Sequence, residues 1–231
     1  LVLPNEFNEF SDIFAMNSHV YFGIEVRKSN NNTFTNIVAD SNQKGGVNLE
    51  EGAANNKFVN IVSKYNQYGL HVTGNGIANV TGNRFVNFDF SENMSHNVLA
   101  FQGAVGNYFN HGNFNKAVSG NGWRSEDSSS FGNHFTDIEC KNNPGEGLLF
   151  QNYEYITDAA ITGNGLRGMT VFGAAKLRRI VSRNNGTDVA GSPGVLIDAV
   201  DCDFGPQHAV ITKEALRVGQ FIEVSKAGRY S

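Results

Sequence analysis

Along most of the chain, apolar residues alternate with polar ones for only three to five positions before a Gly, Asn or Asp interrupts them. That is the two-residue period of a half-buried strand. The interrupting residues are those that favour turns. No segment carries the i, i+3, i+4 stripe of an amphipathic helix. The short strands also recur at a near-constant interval. Asn-x-Phe occurs at Asn8/Phe10, Asn32/Phe34, Asn56/Phe58, Asn83/Phe85, Asn107/Phe109 and Asn133/Phe135. Two residues past each Phe stands an Asn or Asp (Asp12, Asn36, Asn60, Asn87, Asp137), except at His111, and Ile13, Ile37, Ile61, Phe88 and Ile138 follow as apolar partners. Half a period later a second column begins with Gly: Gly23-Ile24-Glu25-Val26, Gly46-Val47-Asn48-Leu49, Gly69-Leu70-His71-Val72, and again at Gly147, Gly168 and Gly194. Degenerate members stand at 98–101, 117–118 and 209–211, and late copies replace Phe by Ile156 and Leu177.

Two or three short strands per repeat, with no helix between them, predict one turn of a parallel β-helix for each copy. About nine rungs are expected, stacked at the ~4.8 Å strand spacing into a rod of about 40 Å. Phe over Phe then fills the core. Asn over Asn satisfies backbone groups that the turns would otherwise orphan. The Gly opening the second column is expected to supply a positive-φ bend. Cys140 and Cys202 fall three rungs apart, about 14 Å, too far to bridge. The reading is one β-helix over residues 1–211, with 212–231 leaving the repeat as a C-terminal cap or oligomer contact.

Of the 231 residues only 17% are charged, and the net charge is −4. This argues against nucleic acid as a partner. No apolar run approaches the ~20 residues of a membrane span, so no membrane insertion is expected. The opening LVLPNEF already reads as structure, as in a piece of a longer protein.

Candidate chemistry comes from the register. Counted from each Phe, Asp89, Asn113 and Glu139 hold equivalent outward positions on successive rungs. The two carboxylates would then lie two rungs apart, at the edge of the ~6.5–9.5 Å range of an inverting glycosidase pair. His111 breaks the turn column nearby. The stretch VSGNGWRSEDSSS, residues 118–130, reads as an excursion from the repeat that presents Trp123 as a sugar-stacking platform beside Arg124, Glu126 and Asp127. Asp89, Glu139, Glu126 and Asp127 are therefore the catalytic candidates, and Trp123, Arg124, Asn113 and His111 the substrate-binding ones. The column Glu25, Asn48, His71 reads as surface. No residue spacing suggests a metal, and no cofactor is expected.

These Asn-rich, Gly-punctuated rungs resemble the right-handed parallel β-helix proteins of the pectate-lyase-like superfamily, which includes phage tailspikes and polysaccharide-active enzymes. The resemblance covers nearly the whole chain. It implies a carbohydrate polymer lying along the rod, carboxylates that cleave it by hydrolysis or β-elimination, a homotrimer, and a place outside the cell or on a virion surface. The catalytic motifs of polygalacturonases and alginate epimerases are not present. Net charge points to neutral or mixed glycans. The rival reading is a non-catalytic glycan-binding adhesin or shaft.

Overall fold

A computed structural model describes residues 6–192 and 195–205, with the backbone of short strands at 2–3, 208–209, 216–218, 224–225 and 229–230. The chain alternates between two stacks of parallel strands, each strand pairing with those one turn earlier and one turn later. One stack runs through Phe22–Arg27, Gly45–Glu50, Tyr68–Thr73, His96–Phe101, Trp123–Ser125, Leu148–Phe150, Arg167–Val171 and Thr187–Gly191, and is called here the Gly sheet. The other, the Phe sheet, runs through Glu9–Phe14, Thr33–Val38, Lys57–Val62, Arg84–Asp89, Tyr108–Asn113, His134–Lys141, Glu154–Thr162, Ala175–Arg183 and Ile197–Val200. This is an all-β parallel β-helix of about eight turns rather than nine; the last expected copy falls largely outside the described residues. So does the expected cap at 212–231, although the backbone of Leu216–Val218 pairs in parallel with Ile197–Val200.

The Asn-x-Phe register is the register of the Phe sheet. Phe10, Phe34, Phe58, Phe85, Phe109 and Phe135 stack with ring centroids 4.6–5.3 Å apart. Two residues beyond each Phe, the residue at position 12, 36, 60, 87, 111, 137, 158 or 179 has φ between 52° and 56° or at 57°. This left-handed residue bends every strand at the same place, so two neighbouring side chains face outward before the next turns in.

Two amide ladders run along the rod. In the first, the Oδ1 of each Asn accepts both the backbone N–H and the Nδ2–H of the Asn one turn before it: Asn8 to Asn32, Asn32 to Asn56, Asn56 to Asn83, Asn83 to Asn107, Asn107 to Asn133. The second passes through Asn42, Asn66 and Asn93. At Ala117 the expected amide is missing, and Asn97 reaches in from the Gly sheet to bridge Asn93 to Asn143. The ladder then continues through Asn164 and Asn185 to Asp188.

The second ladder corrects the role expected of the glycines. Gly23, Gly46, Gly69, Gly122, Gly147 and Gly168 do not have positive φ. A methyl group on Gly69 would lie 2.6 Å from Asn93 Nδ2 and 2.7 Å from Asn97 O, and Gly23 and Gly168 are crowded by ladder amides in the same way. Close approach of the amide, not a bend, requires glycine there. The positive-φ glycines lie in the turns instead, as at Gly76 and Gly82.

The first ladder ends at Glu154, fully buried, whose carboxylate accepts both Asn133 donors. The next turn offers Ala175 in register, whose side chain has nothing to donate or accept. Burial pushes the Glu154 carboxyl well above its usual range, against the pull of the Asn133 hydrogen bonds. The folded chain thus favours the protonated acid. That contribution to stability is fully present below the unfolded carboxyl pKa of about 4.3 and is lost as pH rises through the raised folded value. Glu154→Gln supplies the amide acceptor used along the rest of the ladder. Its thermal midpoint should match the parent at acid pH and exceed it at neutral pH, the gap opening at about 2–4 °C per kcal/mol. Calorimetric scans across the pH range check this; a gap that closes with rising pH contradicts it.

Candidate functional site

The bend in the Phe sheet sets two outward columns side by side: the left-handed residues, and the residues two positions beyond them. The backbone register places Asp89 opposite Asn113 and Asn113 opposite Glu139, one turn apart each. All three, with His111 and Asp137, line one open depression of about 500 Å³. Four of the eight residues predicted from the sequence therefore share a site.

The depression sits where the repeat is imperfect. The inward position after the bend is Ile61, Phe88, Gly112 and Ile138 on successive turns. A methyl group on Gly112 would lie 2.5 Å from three carbons of the Phe88 ring, so the large ring of one turn fills the space left by the next. The exposed ladder of the left-handed column breaks at the same place. Asn36, Asn60 and Asn87 each donate to the residue one turn earlier, but at position 111 the amide is replaced by imidazole. His111 Nδ1 instead meets Asp137 Oδ2 at 2.6 Å, with both side chains more than half exposed.

Each carboxylate has a lysine. Lys64 Nζ lies 2.7 Å from Asp89 Oδ2, and Lys141 Nζ lies 2.6 Å from Glu139 Oε1. The hydrogen bond to Asp89 raises the pKa of Lys64, keeping it charged. Asp89 Oδ1 is buried and has no hydrogen-bond partner among the described residues. That oxygen is shielded from solvent while its twin is held by the Lys64 ammonium, so the carboxylate is firmly oriented.

The other four predicted residues lie elsewhere, and two require correction. Residues 118–130 are not an excursion throughout. Gly122-Trp123-Arg124-Ser125 is the regular Gly-sheet copy of its turn, with Trp123 in register between Val98 and Leu148. Residues 117–118, expected to hold that copy, lie instead in the turn before it. Trp123 is fully buried. It packs edge to face on Phe109 at 5.0 Å and Phe135 at 4.8 Å, and its Nε1 donates to Ser125 Oγ at 3.2 Å. It therefore cannot stack on a sugar. Asp127 closes a turn: Oδ2 accepts the Gln102 N–H at 2.7 Å, and Oδ1 accepts the Ser129 N–H and O–H at 3.2 and 2.7 Å. With its oxygens so occupied, it is scaffold rather than catalyst. Arg124 and Glu126 form an ion pair, Nε to Oε1 3.3 Å, on the outer face of the Gly sheet, a different face from Glu139.

That outer face holds a network the sequence reading passed over as surface. Asn48 Nδ2 donates to Glu50 Oε2 at 3.2 Å, Asn48 Oδ1 meets His71 Nδ1 at 2.9 Å, and Arg27 Nε lies 3.3 Å from Glu50 Oε1. The His71 ring lies between Phe22 and Tyr68, with centroids at 5.6 and 5.9 Å. Burial lowers its pKa to about 4, so the imidazole is neutral. Burial, then the neighbouring Glu50, raises the Glu25 carboxyl. Nothing in the sequence distinguishes this packed row from solvated strand positions.

Among the described residues no group of three or more His, Cys, Asp or Glu could hold a metal ion, and no helix is long and apolar enough to cross a membrane. Both cysteines are free.

Strand pairing defines a parallel β-helix protein, and among the described residues an outer face carries an open, carboxylate-lined depression. No protein-family model matches the chain, and no curated protein matches it. Among solved structures it is similar to pectate lyase Pel9A, with a TM-score of 0.44 and 15% identity over 90% of this chain and 54% of that one. The chain thus spans about half the length of that lyase. At this identity the likeness concerns the fold alone, which the strand pairing establishes independently.

Trp123→Ala should lower stability by about 3–5 kcal/mol and leave any glycan binding by the folded protein unchanged. Denaturant unfolding and glycan-array binding check this. Lost affinity with unchanged stability would return the indole to the surface.

Proposed function

We propose that the protein binds a polysaccharide across the Phe sheet and cleaves it by hydrolysis at the depression between Asp89 and Glu139. The observation that carries this reading is the pairing of Asp89 and Glu139 across Asn113, two turns apart, in a depression that arises only where the repeat fails. Two turns at ~4.8 Å give about 9.5 Å, at the upper end of the separation that leaves room for a water beside the sugar. In this reading Asp89 takes the proton of the attacking water as the water oxygen bonds to the anomeric carbon, once substrate binding draws its carboxylate away from Lys64. Glu139 delivers a proton to the glycosidic oxygen as the bond to the leaving sugar breaks. His111, oriented by Asp137, and Asn113 hydrogen-bond sugar hydroxyls. A tailspike-type depolymerase or a related secreted glycosidase would use such a site.

A second reading, glycan binding without cleavage, is favoured by the lysine already held by each carboxylate. One panel separates the two. Purified parent, Asp89→Asn and Glu139→Gln are compared for release of reducing ends and for binding. Hydrolysis predicts that each substitution lowers the rate about 100- to 10,000-fold with binding retained. Cleavage undiminished in both variants sinks the assignment of the site. Binding by the parent without cleavage of any polymer establishes the second reading, and unsaturated uronate products would replace hydrolysis by β-elimination.

A further inference from the structure

One column of the Phe sheet lies outside the depression and is built differently from its neighbours. The outward residues just before the stacked ring positions run Lys57, Arg84, Tyr108, His134, Tyr155, Lys176 on six consecutive turns. From Arg84 onward they touch in sequence. The Arg84 guanidinium lies 4.6 Å from the Tyr108 centroid. Tyr108 stacks on His134 at 4.8 Å, and His134 on Tyr155 at 4.3 Å and 4°. Lys176 Nζ lies 5.7 Å from the Tyr155 centroid. The column spans about 24 Å at the strand spacing.

Three features distinguish it from ordinary surface. First, no ion pair among the described residues involves Lys57, Arg84 or Lys176, and all three are exposed. Second, the adjoining outward column is neutral over the first five of these turns, Val59, Val86, Asn110, Thr136 and Thr157, and on the sixth holds Arg178, which pairs with Asp198. Acidic residues enter the column only at its ends, Glu9 and Asp198, and Asp198 is held by Arg178 at 2.9 Å. Third, the rings use their faces on one another, so what they offer outward is their electropositive rims, two phenol hydroxyls and an imidazole nitrogen. Burial lowers the His134 pKa, so its ring adds donors and acceptors rather than charge. A chain with net charge −4 thus carries an unneutralised basic line parallel to its axis.

We propose that this column binds a linear polysaccharide bearing carboxylate or sulfate groups, laid along the rod axis. The ligand class follows from the geometry. The donors are strung in a line at the strand spacing, close to the length of one sugar unit, and exposed cations recognise fixed anions on such a chain. Nucleic acid is the poorer fit, because the ring faces are unavailable for base stacking and three cations are few against a phosphate backbone. The column lies across the left-handed bend from Asp89 and Glu139, so its binding does not depend on cleavage there. Net charge alone pointed to neutral or mixed glycans; the placement of the cations favours an anionic chain on this face.

The test is affinity electrophoresis of the parent and of the Lys57→Gln, Arg84→Gln, Lys176→Gln triple variant, through gels containing heparin (sulfate), alginate (carboxylate) or dextran (neutral). These exposed substitutions leave the core untouched, and equal thermal midpoints verify it. The parent should be retarded by heparin or alginate and not by dextran, with retardation falling as salt rises. The triple variant should bind at least ten-fold more weakly. No retardation of the parent by either anionic polymer overturns the proposal, as does equal retardation of parent and triple variant. Equally tight binding of an oligonucleotide, lost in the triple variant, would assign the column to nucleic acid and overturn it as well.

Discussion

The double hydrogen bond that each buried Asn accepts from the Asn one turn before is the constraint on which the rest depends. A turn between parallel strands leaves backbone N–H groups that no strand can pair, and burying one unpaired costs about 1–3 kcal/mol. One Asn oxygen takes both the backbone N–H and the side-chain amide below it, and its own amide passes the pattern on. This works only if successive Asn residues stand directly above one another. The ladder therefore fixes the register, the register stacks the phenylalanines, and the amides crowd the Gly sheet so closely that no side chain fits opposite. Where the ladder residue is missing, at Ala117, the chain borrows Asn97 from the strand rather than leave the gap.

A ladder must also stop, and both stop on an acid. Glu154 and Asp188 accept from the preceding Asn without needing to donate onward. Turns shorten toward that end: early Asn partners are separated by 24–27 residues, later ones by 21. The strands lengthen meanwhile, Glu154–Thr162 and Ala175–Arg183 having nine residues each, so the shortening falls on the turns. The polar depression lies where this repetition fails. Position 111 has no amide to continue the exposed ladder, Gly112 leaves its volume to Phe88, and the polar groups of Asp89, Asn113 and Glu139 surround the resulting depression.

The fold was legible in the sequence because stacking repeats the same residue at the same interval. Asp89, Asn113 and Glu139 were found by counting from that register, and the strands place them as counted. Trp123 was misread because Gly-Trp-Arg-Ser, set among further Gly and Ser, has the composition of a loop. Its inward partner is a buried serine that makes room for the indole and accepts its N–H, and alternation of apolar residues cannot reveal that. The glycines were located correctly and explained wrongly, since sequence does not separate a residue that must bend from one that must yield space. The Asn48–His71 network was invisible because outward strand positions are ordinarily solvated. Here neighbouring side chains cover Asn48 to 1% exposure.

Native-state hydrogen exchange, read by NMR on the side-chain amides and backbone N–H groups of Asn56, Asn83 and Asn107, tests the central claim most directly. If the buried ladder holds the rod together, these protons exchange only with global unfolding, more slowly than the exposed amides of Asn36 and Asn60 by several orders of magnitude. Exchange of Asn83 and Asn107 at the rate of exposed turn amides would show that the ladder is not what orders the turns.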